Sequence, residues 1–384
     1  MRRLDIAPRY GWQQRVEAQG FTFHSSGLRP DGDTASNWYE GACWEFTLAE
    51  IERIEAATAE LYRLSLAAVD HVVSHDRLAE LNIPPAFRSA VRKSWQRGDP
   101  SLYGRFDLAF NGGDPKLLEF NADTPTTLIE SAIVQWYWLK DVATADDQFN
   151  SLHERLVDRW REIGARMPAG TTLYFSSIKD NREEFSTVEY LRDTADQAGL
   201  KTEFIYIEDV GFLNGRMVDL DNRPIRCWFK LYPWEWLARE QFGPDLAACL
   251  DRIGVIEPPW KMILSNKGIL PILWQLFPDH PNLLPAYTEL RDDIRDGFVA
   301  KPVLGREGKN ITLHGAGRDE SIAGPYGDEP KVFQRMADLA RDGGMWSVIG
   351  SWVVGDNPAG MCVREDTSPI IVAGSRIVPH LLRG

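Results

Sequence analysis

Apolar residues recur at Leu48, Ile51, Ile54, Leu61, Leu64 and Val72, the three-to-four spacing of an amphipathic helix, and residues 47–75 are read as a scaffold helix. A shorter helix is predicted at 85–96. The pattern then changes. In SLYGRFDLAFNGGDPKLLEFNAD two β-rich runs flank Asn111-Gly112-Gly113-Asp114, which predicts a hairpin. Thr124-Pro125-Thr126 predicts the next helix start, followed by the apolar positions Leu128, Ile129, Ile133, Val134 and Trp138.

Further along, TTLYFSSI, a helix at 187–198 and KTEFIYIEDV predict strand, helix, strand, hence a small α/β unit between about residues 170 and 260. The loop after its first strand, 179–184, holds Asp180, Glu183 and Glu184. Such a charge cluster fits a solvated loop or the attraction of a polyamine. FVAKPVLGREGKNITLHG predicts strand, loop, strand, and apolar runs follow at 346–354 and 370–372. No internal repeat or low-complexity segment is present.

The chain has 384 residues, 43% hydrophobic and 26% charged, which excludes a disordered or collagen-like composition and provides for two packed cores. The balance of 43 Lys+Arg against 56 Asp+Glu, net −13, disfavours nucleic acid and anionic membranes as partners. No apolar run is long enough to span a bilayer, and MRRLDIAPRYGW has no apolar stretch of the secretory kind, so a cytoplasmic location is expected. Cys43, Cys227, Cys249 and Cys362 lie far apart and read as reduced core thiols. His71 and His75 have a helical spacing, but no third ligand follows at a metal-like distance.

Three features carry candidate chemistry. On the hairpin, Arg105 with Asp107 and Glu119 with Asn121 each share a strand face. An odd-length connection, such as the three-residue loop with a left-handed glycine, would set Asp107 opposite Glu119 or Leu117 and bring both pairs to one face, whereas an even one would set it opposite Leu118. Two carboxylates, an amide oxygen and a guanidinium would then suit Mg²⁺ and phosphate oxygens; a charged edge hairpin would use the same letters. Asp107 and Glu119 are expected to repel one another until a metal arrives, so that replacing either should spare folding. Second, Lys301-Pro302-Val303-Leu304-Gly305-Arg306-Glu307-Gly308-Lys309-Asn310 offers glycines and lysines to a polyphosphate, although it lacks the P-loop Ser or Thr, and a glycine-turned hairpin would read alike. Third, Lys267 stands alone in SNKGILPILW and by itself carries no meaning.

Taken together, YGRFD, LLEFNADTPTTLIES, SNKGILPILW, VAKPVLGREGKNI and VIGSWVVGDNPAGMCVRED with SRIVPH resemble the synthetase half of the glutathionylspermidine synthases, an ATP-grasp carbon–nitrogen ligase family, over nearly the whole chain. The resemblance implies that Asp107, Glu119 and Asn121 hold Mg²⁺ and that Arg105 stabilises the transferring phosphoryl group. It implies ATP contacts at Lys267 and Lys301, with Gly305 and Gly308 in the covering loop and Gln334 on the hinge strand VFQRMADL. Arg335 there departs from the glutamate the family leads one to expect. Arg306, Arg364, Thr124 and Thr126 would hold the acid substrate; it is the charge sign of the cluster, not the resemblance, that favours Glu183 and Glu184 as the side facing the amine.

The implied fold is α/β (α+β), a circularly permuted ATP-grasp with an inserted small pre-ATP-grasp-like substrate domain, because the nucleotide lysines follow the metal motif in the chain. The expected division is 1–140 with the metal hairpin, 141–260 as the small α/β domain and 261–384 as the ATP-binding part with its glycine-rich lid. An amidase domain is not expected within this chain, and Cys43 is read as structural. The implied activity is ATP- and Mg²⁺-dependent ligation of a small-molecule acid, glutathione-like or another peptide, to a polyamine-like amine through an acyl phosphate, by a monomer or homodimer. The alternatives are a small-molecule phosphotransferase and an ATP-binding protein without turnover.

Overall fold

The computed structural model describes residues 1–25 and 37–383. Its scaffold helix spans Leu48–Ser74. Thr47 caps it: the Thr47 hydroxyl accepts the Glu50 N–H and the Glu50 carboxylate accepts the Thr47 N–H, so two end donors are satisfied reciprocally. Its apolar face, including Ile51, Ile54, Leu61, Leu64 and Val72, is buried. It packs across the strand Met345–Val354 and the helix Ile269–Leu276.

That strand lies within an antiparallel core sheet. Its order is Arg376–Val378, Asn357–Asp366, Met345–Val354, Tyr103–Ala109 and Lys116–Asn121, with Arg341–Asp342 pairing the outer end of Met345–Val354. A second antiparallel sheet has the order Ala286–Tyr287, Lys331–Arg335, Gly297–Pro302, Thr312–Gly315, Arg318–Ser321. The predicted strand–loop–strand is therefore present at 297–315. The apolar run at 370–372 is not a strand; Ile370 and Val372 pack on Leu313 of the second sheet and tie the two sheets together.

The small α/β unit is also present, as a four-stranded parallel sheet ordered Gly254–Ile256, Cys227–Lys230, Leu173–Ser176, Thr202–Phe204. Its helix begins earlier than expected, at Arg182, because the Asn181 side chain accepts the Glu184 N–H as an N-cap. Glu183 and Glu184 thus sit in the first turn of a helix rather than in a loop. One core joins the scaffold helix to the core sheet through residues such as Ile54, Leu61, Ile349 and Val353. Another joins the core sheet to the parallel sheet through Tyr103, Trp352, Trp160, Phe175 and Phe229. All four cysteines are buried thiols.

The hairpin differs from expectation in its turn. The connection 110–115 has six residues, an even length, and it pairs Ala109 with Lys116 and Leu108 with Leu117. Continued unchanged, that register would set Asp107 against Leu118 and turn the two polar pairs to opposite faces. A β-bulge at Leu118 shifts it, so Asp107 pairs with Glu119 and Arg105 with Asn121.

The helix after the hairpin starts at 128, later than the predicted Thr124-Pro125-Thr126. The delay comes from Thr127, whose φ of 71° is left-handed and strained for a β-branched residue. The helix then contains a π-turn, Glu130–Val134, closed by a bond from the Gln135 N–H to the Glu130 carbonyl.

Candidate active site

The two antiparallel sheets enclose a cavity of about 490 Å³. Val299, Leu313, Met336, Val348 and Ile370 make one end apolar. The other end is lined by the polar residues of the hairpin and the glycine-rich loop.

Arg105 and Asp107 are both buried in this polar end, with Arg105 Nε 2.7 Å from Asp107 Oδ1 and its second terminal nitrogen 3.2 Å from Oδ2. The remaining terminal nitrogen donates to the Thr126 carbonyl at 2.6 Å and the Thr127 hydroxyl at 3.0 Å. The strained Thr127 therefore faces the site, and it is a contact that the sequence pattern passed over. Burial works against the Arg105 charge, but Asp107 outweighs it and holds the guanidinium protonated beyond its ordinary range.

Glu119 meets Lys267 at 3.0 Å and accepts a bond from Asn121 Nδ2 at 3.4 Å. Burial pushes its carboxyl up, yet Lys267 and Lys301 pull it well below the usual range. Asp107 and Glu119 are thus each matched by a cation, and the expected unopposed repulsion between them is absent. Lys267 also donates to the Gly305 carbonyl at 2.7 Å, joining the strand Lys116–Asn121 to the glycine loop.

Lys301 donates to the Leu118 carbonyl and to Gln334 Oε1, both at 2.8 Å. Gln334 Nε2 donates in turn to the Leu117 carbonyl at 2.9 Å, so Gln334 holds Lys301 from behind and does not line the cavity. Burial lowers the Lys301 ammonium to about 8, with Glu119 opposing the shift and Lys267 adding to it. Arg335 points away, donating to the Asp293 carbonyl at 2.8 Å, and leaves the cavity face of the hinge to Met336, Ala337 and Leu339.

Gly308 has φ +72°, and a Cβ there would lie 2.6 Å from the Ile371 carbonyl; the covering loop rests directly on the core segment only because this residue is glycine. Arg306 reaches from the same loop to the Thr124 hydroxyl at 3.0 Å and to Glu235 at 2.8 and 3.2 Å. Arg364 lies 3.9 Å from Asp107 and donates to the Val372 carbonyl, while its Nε is buried without a hydrogen-bond partner. Burial and the neighbouring Arg105 both press the Arg364 charge down. An orphaned donor beside a second arginine fits an anionic substrate group.

Thr124, Thr126, Arg306 and Arg364 all line the cavity, whereas Glu183 and Glu184 do not. Glu183 still feels the site: partial burial and Glu307 raise its carboxyl, with Arg364 and Arg105 pulling it the other way. Burial pushes Glu184 up to about 7. Glu130 belongs with them and was missed, since nothing in its local sequence distinguishes it from a helix-surface glutamate. It is only 3% exposed, and burial, with Glu183 adding, pushes it up to about 8.

Among the described residues no group of three or more His, Cys, Asp and Glu side chains is arranged to hold a metal. Asp107, Glu119 and Asn121 offer two carboxylates and one amide on one face of the hairpin. That is an oxygen-donor set short of a full cage, and it suits Mg²⁺, which keeps waters and phosphate oxygens as its other ligands.

The pairing of this fold with this cleft defines a ligase-like chain, and a family model described as glutathionylspermidine synthase preATP-grasp matches residues 3–383. The chain belongs to that family. It is 37% identical to a Haemophilus influenzae protein named "putative acid–amine ligase", over 96% of this chain and 95% of that one. It is 30% identical to trypanothione synthetase of Crithidia fasciculata and 29% identical to the bifunctional glutathionylspermidine synthetase/amidase of Escherichia coli, over 88% and 87% of this chain. It spans 55% and 58% of the length of those two relatives. A glutathione synthetase-like effector from Globodera pallida shares the fold, with a TM-score of 0.58 and 13% identity, over 99% of this chain and 98% of the other. Among the described residues no helix is long and apolar enough to cross a membrane.

Proposed function

We propose that the chain joins a small-molecule carboxylic acid to an amine, using ATP, through an acyl phosphate. The observation that carries this reading is the convergence of Arg105 with Asp107, Glu119 with Lys267, and Lys301 on one cavity whose other end is apolar. The apolar end takes the nucleotide base, and Lys267 and Lys301 meet the phosphates. When bound, Mg²⁺ on Asp107, Glu119 and Asn121 would neutralise phosphate charge.

The substrate carboxylate attacks the γ-phosphorus and ADP leaves. Arg105 and Lys301, already aimed into the site, stabilise the charge on the transferring group without reorganising. Arg306, Arg364, Thr124 and Thr126 hold the acid. The glycine loop shields the acyl phosphate from water, since hydrolysis would waste it. The amine then displaces phosphate, forming the C–N bond and releasing a proton.

The names of the relatives make glutathione and spermidine the first pair to test. We further propose that 1–140, 141–260 and 261–384 act as the metal, substrate and nucleotide parts of a circularly permuted ATP-grasp in the cytoplasm, as a monomer or homodimer. Support for the permutation lies in the chain order, with the metal hairpin at 103–121 before Lys267 and Lys301. The test is Mg²⁺-dependent phosphate release from ATP with glutathione and a panel of polyamines and amino acids, followed by mass spectrometry. A product of acid plus amine minus water supports the reading. A stable phosphorylated product without amine dependence replaces it with phosphotransfer, and an absence of ATP binding overturns it.

A further inference from the structure

Glu235 lines the cavity, yet neither the sequence motifs nor the phosphate chemistry assigns it a task. Its Oε1 accepts both Nε of Arg306, at 3.2 Å, and a terminal nitrogen, at 2.8 Å. The Thr124 hydroxyl takes the other terminal nitrogen at 3.0 Å, and the guanidinium carbon stands 5.3 Å from the centre of the Trp236 ring. Arg306 is clasped on three sides. The clasp leaves an N–H on each terminal nitrogen.

The clasp has a foundation. Glu235 belongs to the short helical turn Trp234–Leu237. The N–H of Trp234 donates to Asp123 Oδ2 at 2.8 Å, and Asp123 Oδ1 accepts from Lys230 Nζ at 2.7 Å. Asp123 and Lys230 are almost wholly buried, so their alternative partners are not water. Lys230 also donates to the Tyr232 carbonyl at 2.9 Å. Asp123 directly precedes Thr124 in the chain. One buried carboxylate therefore fixes the backbone beneath both groups that grip Arg306.

We propose that Glu235 is the positioning residue for Arg306, set in place by the Asp123–Lys230 pair, and that it readies Arg306 for a carboxylate of the acid substrate. The proposal rests on the reading of Arg306 as a substrate-holding group. A long arginine on a glycine-rich loop has many rotamers to lose on binding; holding it beforehand removes that loss from the binding step. Arg306 stays cationic beside Glu235, but the pair as a whole carries no net charge. It then selects a planar, two-oxygen acceptor by geometry more than by attraction to any phosphate.

The test compares wild type, Glu235→Ala and Glu235→Gln with glutathione and spermidine as probes, alongside hydrogen exchange of amides 303–311. Glu235→Ala is expected to raise the KM for glutathione about tenfold, hold the KM for ATP within about twofold, and speed exchange in the loop. Glu235→Gln, whose amide oxygen still accepts, should recover most of the loss. A lower glutathione KM in Glu235→Ala would overturn the proposal, because Glu235 would then compete with the acid; so would unchanged KM together with unchanged exchange. Faster exchange in the variant of a wild-type chain that makes no amide supports the positioning and counts against the ligase reading, so the two failures are separable.

Discussion

Lys301 Nζ donates at 2.8 Å to the carbonyl of Leu118, the residue that the hairpin bulge leaves without a cross-strand partner. The same irregularity that turns Asp107 and Glu119 to one face also supplies an acceptor for Lys301 from the other sheet. The strand Lys116–Asn121 and Lys301 are coupled through one unpaired peptide group.

ATP affinity should fall as pH rises through about 8. Burial holds the Lys301 ammonium near that value, so the free protein has the charge below it and loses it above it. The limiting slope is about tenfold per pH unit, since binding must restore the proton. Titration calorimetry in buffers of different ionisation enthalpy checks it: proton uptake on ATP binding is expected above pH 8, and Lys301→Met should abolish it.

Asp107→Ala should destabilise the fold as well as stop turnover. The carboxylate lies between Arg105 at 2.7 Å and Arg364 at 3.9 Å, and its removal leaves two buried guanidinium groups facing one another. The expected cost is about 3 kcal/mol, read from urea unfolding. Added inorganic triphosphate should recover part of it by supplying the missing negative charge.

Glu130→Gln should flatten the dependence of stability on pH. A carboxyl raised from 4.5 to about 8 gives stability that is complete below the lower value and lost as pH climbs through the upper one. Melting temperatures of the wild type should therefore decline between about pH 5 and 8, and those of the variant should decline less, since Glu184, raised to about 7, still titrates there, and end higher at pH 9. A parallel decline in both proteins would show that the carboxyl is not the titrating group.

Gly308→Ala should weaken ATP binding about tenfold and leave the melting temperature nearly unchanged. The added methyl meets the Ile371 carbonyl at 2.6 Å in a backbone conformation that alanine resists, so the loop must lift. Fluorescence-monitored ATP titration and a thermal melt separate the two effects.

Elements governed by local periodicity were legible in the sequence. The scaffold helix appears at Leu48–Ser74 against an expected 47–75, and the shorter one at Pro85–Arg97 against 85–96. The polar pairs of the hairpin were legible as well, but the cause of their alignment was not, because a bulge at Leu118 depends on long-range pairing and leaves no mark in the alternation of residues. The charge run holding Glu183 and Glu184 reads as a loop, but Asn181 ahead of it is an N-cap that starts the helix there. Glu130 and Glu235 escaped notice for a different reason: each acquires its character from burial or from a partner far along the chain, and neither sits in a motif.

The π-turn at Glu130–Val134 gives the helix after the hairpin a phase. Before it, Thr127 faces Arg105; after it, Gln135 bonds the Met361 carbonyl and His380, and Trp138 is buried. An α-helix advances about 100° per residue, so deleting any one residue of the turn to restore regular winding would rotate one half by that angle against the other. The two sets of contacts could not then coexist. The turn works as a vernier: it lets a helix whose far half is locked to the core leave the residue just ahead of it, Thr127, in register with Arg105, and this short stretch should tolerate substitution far better than a change of length.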